Sequence, residues 1–337
     1  MAEARHHRVV AARHGGPEVL QVVDEKPPEP KANEVRVKTL AAGVSALDLM
    51  VRRSGFPGFP RVPFTPGVDV VGVVDATGEG VSSVETGQAV AALLGFDGGY
   101  AESICVPASE AVPVPSGLDP SEAVCVVANY LTAYTVMHRV AAVKSGDRVL
   151  VQGAAGGVGT ALLELGGLAG LEMYGTASAH NHELVTSLGA TPIDYRSEDF
   201  VERLRSLTGD GVDVVFDPIG GGRQLRRSYR ALRKGGCLVW FGVAATSKSG
   251  LRVIPASLLT RFMLAMIPDG KRAPMTSDVS KPNEWYRETL TTLFGYLAGG
   301  KIKPVVSARI PLIEAARAHE LLESGKYAGK VVLIANA

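Results

Sequence analysis

The spacing of hydrophobic positions changes near residue 125, about a third of the way along the chain. Residues 33–44 alternate between apolar and polar side chains, as half-buried strands do. Three more apolar runs, residues 68–78, 87–95 and 100–107, follow at short intervals and are separated by glycine and proline. The pattern therefore predicts a β-rich region over residues 1–125.

A helical pattern begins at Pro120, with Asp119 placed as its N-cap, and strands then alternate with helices. Almost wholly apolar runs, typical of buried strands, occupy residues 149–153, 171–177, 191–195, 212–220 and 237–245. Such runs, each followed by a helical stretch, predict a parallel sheet covered by helices on both faces. We assign this doubly wound α/β region to residues 127–262, between a first domain region over 1–126 and a return to it over 263–337.

The first strand of the alternating region runs directly into a glycine-rich turn, in the sequence VLVQGAAGGVG of residues 149–159. Glycines at 153, 156, 157 and 159 let the backbone turn tightly and approach a phosphate closely. The residues that follow predict a helix whose N-terminal amides face that phosphate. A strand, this glycine spacing and a helix together are the pattern of a dinucleotide site. The alternative is a tight turn without a ligand.

The end of the second strand distinguishes NAD from NADP. NAD-binding folds place Asp or Glu there, about 20 residues past the turn, to bind the ribose 2′-hydroxyl. Here residues 175–183 read GTASAHNHE, and the only carboxylate, Glu183, falls in the following helix. Ser178, His180 and Asn181 leave no negative charge to repel a 2′-phosphate. The sequence therefore favours NADPH.

Composition narrows the class of protein. The chain has 337 residues, enough for two domains, and a net charge of +1 without a basic block, so no nucleic-acid partner is expected. The N-terminus lacks the apolar core of a signal peptide, and no apolar run approaches the ~18 residues of a membrane span. Three widely spaced cysteines fit a reducing compartment. We expect a cytoplasmic protein.

Further motifs follow in a fixed order along nearly the whole chain: AAGVSALDLMVRRSG, PFTPGVDVVGVV, GGYAE, NYLTAY, GAAGGVG, IDY, FDPIGG and GKVVL. With them the chain resembles the zinc-independent quinone oxidoreductase branch of the medium-chain dehydrogenase/reductase family. The NYLTAY and KYAGKVVL segments are most similar to its vesicle amine transport protein 1-like subgroup. The resemblance implies a GroES-like β-barrel catalytic domain with an inserted Rossmann domain, a cofactor in the cleft between them, and a homodimer joined through the Rossmann sheets.

The resemblance also implies roles at the phosphate end of NADPH. Three consecutive residues of the turn would cradle the pyrophosphate: Gly156, Gly157 and Val158. Ser178 and Tyr195 match residues at the 2′-phosphate, although Tyr195 also fits a core tyrosine at a strand end. Asn181 stands where relatives place a lysine, and His180 or Arg196 would compensate for the missing charge.

At the nicotinamide end the resemblance implies a second set of residues. The nicotinamide ribose would be lined by Phe241, Gly242 and Val243. Thr132 matches a threonine at the nicotinamide, and Lys330 matches a lysine near the cofactor. Ser45 replaces the asparagine of quinone oxidoreductase relatives. We take Ser45 and Thr132 as the catalytic candidates, and expect the serine to donate one hydrogen bond to a carboxamide or to the substrate.

Zinc ligands are missing from the positions that zinc-dependent relatives use. Ser45 replaces their first cysteine, residues 67–69 read Gly-Val-Asp instead of Gly-His-Glu, and no CxxC pair occurs. Metal-free hydride transfer suits acceptors that need little activation, so we expect a quinone or an α,β-unsaturated carbonyl as the small-molecule substrate.

Two alternatives stay open. An enoyl-thioester reductase would need a proton donor where this chain has Phe56, with Tyr100 or Tyr130 as substitutes. A non-catalytic, regulatory nucleotide-binding protein would explain the departures at Ser45 and Asn181. Residues 251–285 are the least similar to the family. We expect them to cover the substrate cleft or form a dimer contact, rather than to meet a membrane surface.

Overall fold

The computed structural model describes residues 6–54, 58–96, 98–242, 253–274 and 284–335. Two residues weighed above, Phe56 and Val243, lie outside these ranges. The chain divides into two units by its internal contacts. The first unit combines Met1–Leu131 with Ser280–Ala337, and the second is the continuous segment Thr132–Val279.

Strands and helices follow the predicted change of pattern. The strands are β1 (His6–Ala11), β2 (Leu20–Glu25), β3 (Glu34–Val44), β4 (Asp69–Thr77), β5 (Ala89–Leu93), β6 (Ser103–Pro107), β7 (Val112–Pro113), β8 (Arg148–Val151), β9 (Glu172–Ala177), β10 (Ala190–Asp194), β11 (Val212–Asp217), β12 (Leu232–Trp240), β13 (Val306–Pro311) and β14 (Lys330–Ile334). The α-helices are α1 (Ala46–Arg53), α2 (Pro120–Cys125), α3 (Leu131–Tyr134), α4 (Gly157–Leu168), α5 (His182–Ser187), α6 (Phe200–Thr208), α7 (Gly222–Arg230), α8 (Val253–Ala265), α9 (Glu284–Ala298) and α10 (Ala315–Ser324). Short 3₁₀ turns occupy Pro17–Val19, Ala179–Asn181 and Leu312–Glu314, and π-helical turns occupy Val126–Tyr130 and Thr135–Ala141.

A seven-stranded sheet organises the first unit. Its order is β13-β14-β3-β4-β5-β7, with β6 also pairing with β3, and the pairs are antiparallel except β13 with β14. The alternation predicted for β3 is confirmed, because Val35 and Val37 are buried in the core of this sheet while Lys38 is exposed. Strand β14 pairs with β3, so the end of the chain completes a sheet that its first hundred residues began.

A five-stranded parallel sheet organises the second unit. Its order is β10-β9-β8-β11-β12, which confirms the predicted doubly wound arrangement. From the central strand β8, the chain adds β9 and β10 on one side and then β11 and β12 on the other. The change of direction lies between β8 and β11, where doubly wound sheets bind ligands beyond the carboxyl ends of their strands.

The helical pattern predicted to begin at Pro120 is confirmed and continues to Ala141. The Asp119 carboxylate accepts a hydrogen bond from the Ser121 amide at 2.8 Å, as an N-cap does. Two π-helical stretches interrupt the α-helical geometry on either side of α3, and the segment ends where Ala142 adopts a left-handed φ of 55°. Sequence periodicity had indicated neither these turns nor helices α1 and α9.

Candidate functional site

The glycine turn leaves the start of helix α4 open to an anion. Gly153 turns the chain at a φ of +64°, and the Ala154 amide bonds back to the Thr176 carbonyl at 2.9 Å. Gly156 is the N-cap residue, and no side chain caps the helix. The first amides of α4 therefore face an end without a side-chain acceptor, and a phosphate is the group that such an end binds. This geometry fits the predicted roles of Gly156, Gly157 and Val158.

Gly159 lets α4 begin directly against the turn. A Cβ atom at this position would lie 2.7 Å from the Ala154 carbonyl oxygen and closer still to that of Gly153. Both obstacles are backbone atoms, so they do not move aside as a flexible side chain would. The glycine spacing read from the sequence is thus a requirement of close packing between the helix and the turn.

Three turns meet at the carboxyl ends of β8, β11 and β12. The Pro218 ring packs beside Gly153, whose Cβ position lies 3.8 Å from the proline Cγ. On the other side, a Cβ on Gly242 would lie 2.6 Å from the Pro218 carbonyl oxygen. The Phe241 amide bonds to the Asp217 carbonyl at 3.1 Å. Two residues expected at the nicotinamide ribose, Phe241 and Gly242, are therefore brought to the same edge as the glycine turn.

The residues expected at the 2′-phosphate also lie together. The Ser178 Oγ and the Tyr195 hydroxyl are 3.3 Å apart, and the Asn181 amide bonds to the Ser178 carbonyl at 2.8 Å. Tyr195 is 49% exposed, so the alternative of a core tyrosine at the strand end is wrong. Glu183, the carboxylate that follows β9 in the sequence, is exposed within the first turn of α5. The cluster presents hydroxyl groups instead of the carboxylate that would select NAD.

Charge near this cluster comes from the end of β10. The Arg196 guanidinium lies 5.8 Å from the centre of the Tyr195 ring. The neighbouring Asp194 carboxylate accepts hydrogen bonds from the Arg196 amide at 3.0 Å and from Ser197 Oγ at 3.0 Å, and the Arg196 amide bond in particular lowers the pKa of this carboxyl. His180 is exposed at the start of the next helix. Arg196 therefore brings a positive charge close to the Tyr195 ring.

Ser45 is the N-cap of helix α1. Its amide and its hydroxyl both donate to Asp48 Oδ2 at 2.7 Å, and the Asp48 amide donates back to Ser45 Oγ at 3.3 Å. These reciprocal bonds form a capping box, which a sequence Ser-x-x-Asp allows. The expectation that Ser45 donates a hydrogen bond to a ligand thus meets a competing acceptor, because its only hydroxyl proton is donated to Asp48.

Asp48 supports the surrounding backbone. Its second oxygen accepts a hydrogen bond from the Gly67 amide at 2.9 Å, and the side chain is buried. Burial raises the pKa of this carboxyl to about 6, although the bonds from Ser45 and Gly67 oppose the rise. The carboxyl links helix α1 to the turn before β4.

Lys330 forms a buried ion pair that sequence reasoning missed. Its Nζ lies 2.7 Å from Asp69 Oδ2, and the two side chains are 2% and 0% exposed. Burial raises the pKa of the Asp69 carboxyl, and the Lys330 charge opposes this rise. Gly43 gives the pair its space, because a Cβ there would overlap the lysine Cε and the Asp69 carboxylate. A charged residue among the apolar residues of β4 was the available signal.

A second buried cluster, also missed, surrounds His319. Arg52 Nη1 lies 2.9 Å from His319 Nδ1, and the Tyr100 hydroxyl lies 3.0 Å from His319 Nε2. Arginine only donates, so Nδ1 accepts and the proton on Nε2 is donated to the tyrosine. Arg52 also forms an ion pair with Glu323. Burial lowers the pKa of His319 to about 3.

Both tyrosines considered as substitute proton donors are buried. Tyr100 has no exposed surface, and burial raises its pKa well above the ordinary value. Tyr130 is 1% exposed within the first π-helical stretch. Thr132, two residues later in α3, is only partly buried. Of Tyr130 and Thr132, which both belong to the NYLTAY motif, only the threonine is partly exposed.

In the ranges that the structure describes, no group of three or more His, Cys, Asp or Glu side chains is arranged to hold a metal ion. Within the same ranges no helix has both the length and the apolar character to cross a bilayer.

Comparison with protein families matches two segments of the chain. Residues 31–116 match the alcohol dehydrogenase GroES-like domain, which confirms the fold expected for the first unit. Residues 188–333 match the family described as zinc-binding dehydrogenase. Ser45 and Val68, which stand where the resemblance implies zinc ligands in zinc-dependent relatives, lie in the first of these two matched segments.

Individual proteins match over nearly the full chain. Quinone oxidoreductase 1 of Escherichia coli is 31% identical over 97% of this chain and 99% of its own length. The synaptic vesicle membrane protein VAT-1 homolog of Rattus norvegicus is 32% identical, over 94% of this chain and 80% of its own. The crystal structure of Escherichia coli quinone oxidoreductase complexed with NADPH superposes with a TM-score of 0.86 at 30% identity, over 97% of this chain and 99% of that one.

Proposed function

Since the chain belongs to the quinone oxidoreductase branch of the medium-chain dehydrogenase/reductase family, we propose that it is a metal-free reductase that uses NADPH to reduce quinones or α,β-unsaturated carbonyl compounds. Its similarity to quinone oxidoreductases identifies the chain as an oxidoreductase. The observation that carries the proposal is the uncapped start of α4 beside a strand end that presents Ser178 and Tyr195 instead of a carboxylate.

NADPH is the cofactor, and the residues of the second unit fit its phosphates. The pyrophosphate is assigned to Gly156, Gly157 and Val158, whose helix start has no side-chain cap. The 2′-phosphate is assigned to Ser178, Tyr195 and Asn181. Bound nicotinamide supplies a hydride to an electrophilic carbon.

At the nicotinamide end, the proposed contacts are Thr132, Phe241, Gly242, Val243 and Lys330. The Lys330 ammonium is buried and paired with the Asp69 carboxylate, so this ion pair fixes its position. The Ser45 hydroxyl donates its hydrogen bond to Asp48. We therefore assign Ser45 the role of an acceptor, which positions an amide or hydroxyl group of the cofactor or the substrate.

The acceptor class follows from the available proton donors. Reduction of a simple ketone requires a Lewis acid or a positioned acid, because negative charge develops on a single oxygen. In a quinone or an enone this charge is delocalised, and solvent supplies the proton. Tyr100 and Tyr130 are buried, and Tyr100 is bonded to His319, which favours the acceptor that needs no protein acid over an enoyl-thioester.

A substrate panel tests the proposal. The purified protein is expected to oxidise NADPH, followed by nicotinamide absorbance, with 1,2-naphthoquinone or an alkenal, and to do so equally well after treatment with a metal chelator. Simple ketones serve as the negative control. Tight NADPH binding without turnover of any quinone or enone would contradict the proposed reaction, and loss of activity on chelation would contradict its metal independence.

One alternative has an observation in its favour. The commitment of the Ser45 hydroxyl to Asp48 and the neutral Asn181 at the phosphate end both suit a regulatory protein that binds NADPH without catalysis. Such a protein would show no turnover, and NADPH would change its affinity for a partner macromolecule. Fast reduction of a quinone excludes this alternative.

A further inference from the structure

A chain of buried hydrogen bonds runs beneath the two turns at the switch point of the parallel sheet. The Gly153 amide lies 3.1 Å from Thr176 Oγ1, which lies 2.8 Å from Gln152 Oε1. Gln152 Nε2 lies 3.4 Å from Ser228 Oγ, which lies 2.7 Å from Asp217 Oδ2. The chain therefore joins the glycine turn after β8 to the carboxylate that ends β11.

The chemistry of these groups fixes which atom donates in each hydrogen bond of this chain. The Gly153 N–H donates to the Thr176 oxygen, so the threonine proton is the one that reaches Gln152 Oε1. The amide group of Gln152 then donates to Ser228, whose proton goes to the Asp217 carboxylate. Every hydroxyl accepts once and donates once along this path. Loss of one group removes a hydrogen-bond partner from each of its two neighbours, although Ser228 Oγ also lies 3.4 Å from Gln224 Nε2.

Asp217 anchors the second turn with its other oxygen. Oδ1 accepts the amides of Ile219 at 2.8 Å and Gly220 at 3.0 Å. These bonds hold the turn that packs against both Gly153 and Gly242. One carboxylate therefore fixes the β11 turn directly and the β8 turn through the three intervening side chains.

The chain is sealed from solvent. Gln152 and Thr176 are 2% and 1% exposed, and Ser228 and Asp217 have no exposed surface. These side chains lie below the turns, so none of them is accessible to a ligand. In a dry environment a missing partner is not replaced by water, which makes the geometry of the turn sensitive to each member.

We propose that Thr176 and Gln152 are positioning residues for the pyrophosphate. Through the hydrogen-bond chain to Asp217, they hold the backbone amides of Gly153–Gly157 in the orientation that binds it. The proposal rests on the proposed function, because it takes NADPH as the ligand of the glycine turn. It assigns to Thr176 a role that differs from that of Ser178 and Tyr195. Those two residues recognise the 2′-phosphate, whereas Thr176 acts on the pyrophosphate alone.

Fragments of the cofactor separate these two roles. 2′-Phospho-ADP-ribose contains the pyrophosphate, and adenosine 2′-monophosphate does not. Thr176→Val removes the hydroxyl at nearly constant shape, Thr176→Ser keeps it, and Thr186→Val changes an exposed threonine of the same unit as a control. Dissociation constants for NADPH and both fragments are measured by calorimetry on each full-length variant, together with the melting temperature.

In Thr176→Val we expect binding of NADPH and 2′-phospho-ADP-ribose to weaken roughly five- to tenfold, since two buried hydrogen bonds are lost. Adenosine 2′-monophosphate should bind within about twofold of the wild type. Thr176→Ser should restore both pyrophosphate ligands, and Thr186→Val should match the wild type. If Thr176→Val does not fold, Ser228→Ala breaks the same chain at a distance and should show the same selectivity.

Equal weakening of all three ligands, or a lower melting temperature with unchanged binding, would overturn the positioning role. Failure of the proposed function has a different signature. If the wild type binds the pyrophosphate ligands, Thr176→Val shows the selective loss and no quinone or enone is reduced, the reductase proposal fails while the positioning role stands.

Discussion

At the scale of single residues, the first unit contains more buried charge than the net charge of +1 of the whole chain suggests. Arg52 and Lys330 are both inside the protein, and each has a fixed partner. Breaking such a pair by removing one member leaves an uncompensated charge, which costs about 3–5 kcal/mol. These residues therefore constrain folding strongly, although none of the periodic sequence patterns includes them.

His319 makes the stability of the protein depend on pH. Its pKa is about 3 in the folded state and 6.5 when exposed, so between these values the unfolded chain binds the proton that the folded protein excludes. Stability is complete above pH 6.5 and falls as the pH decreases. We expect this group to remove about 2 kcal/mol of unfolding free energy between pH 7 and pH 5.

Denaturant unfolding of His319→Gln checks this prediction. Glutamine retains both bonds, since its oxygen accepts from Arg52 and its amide group donates to Tyr100. Its stability should fall less than that of the wild type between pH 7 and pH 5, whereas the exposed control His180→Gln should follow the wild type. The raised pKa of Asp48 adds the same dependence of stability on pH to all three proteins. Parallel profiles for His319→Gln and wild type would show that His319 is protonated in the folded state.

Asn181 is the residue that we propose to lie at the 2′-phosphate without supplying a charge. It is the N-cap residue of α5 but makes no side-chain cap bond, so its replacement costs little locally. We expect Asn181→Lys to bind NADPH about tenfold more tightly, since a charge-assisted hydrogen bond contributes about 1.5–3 kcal/mol. NADH lacks the 2′-phosphate, and its affinity should not change. Titrations of both cofactors test this prediction, with Asn181→Gln as the neutral control. An equal gain in affinity for NADH would show that Asn181 lies away from the 2′-phosphate.

At the scale of elements, helix α4 combines two kinds of glycine. Gly159 faces the backbone of the glycine turn, where a Cβ has no room. Gly167 lies near the other end of the helix, where a Cβ would meet nothing within 4 Å. The sequence shows both only as glycines within one helix, yet one maintains the site and the other weakens the helix.

A matched pair of alanine substitutions separates these two glycines. Gly159→Ala should displace the start of α4, so we expect the affinity for NADPH to fall by at least tenfold, together with the melting temperature. Gly167→Ala should bind NADPH normally and gain roughly 0.5–1 kcal/mol, because alanine favours the helix over the unfolded chain. Calorimetric titration and thermal denaturation give both quantities. Normal NADPH binding by Gly159→Ala would show that the cofactor does not depend on close packing at this turn.

At the scale of the whole molecule, the chain leaves its first unit after Leu131 and returns to it at Ser280. In the described part of the chain, the second unit exposes an apolar cluster on α8 and the turn after it: Leu258, Leu259, Phe262, Met263, Met266 and Ile267. Contiguous apolar surface of this kind marks interaction sites in soluble proteins. We therefore predict that this surface forms the interface of the expected homodimer.

Sedimentation of the full chain tests the dimer. We expect a mass twice the 35.3 kDa of one chain. Phe262→Asp should shift the protein toward the monomer, because an interface does not accept an unpaired charge at its centre. Leu207→Asp, at an exposed position of α6, is the control and should remain dimeric. A monomeric wild type contradicts the dimer, and a dimeric Phe262→Asp places its interface elsewhere.

The sequence by itself determined what depends on near neighbours. Alternating residues predicted β3, apolar runs and helical stretches predicted the parallel sheet, and the spacing of Gly153 to Gly159 predicted the turn. These features are encoded within a few residues because strands, helices and turns are local geometries. The absence of a carboxylate after β9 was equally readable, and it pointed to the cluster that Ser178 and Tyr195 form.

Only the tertiary structure decided which distant groups meet. Arg52 reaches His319 across 267 positions, and Lys330 reaches Asp69 across 261. Strand order and register bring such pairs together, and no local period encodes either of them. The link from Thr176 to Asp217 was hidden for the same reason, because it needs β9, β8 and β11 as neighbours in the sheet and Ser228 from α7. The sequence thus specified the glycine turn, whereas the packing of three strands and helix α7 specified the hydrogen bonds beneath it.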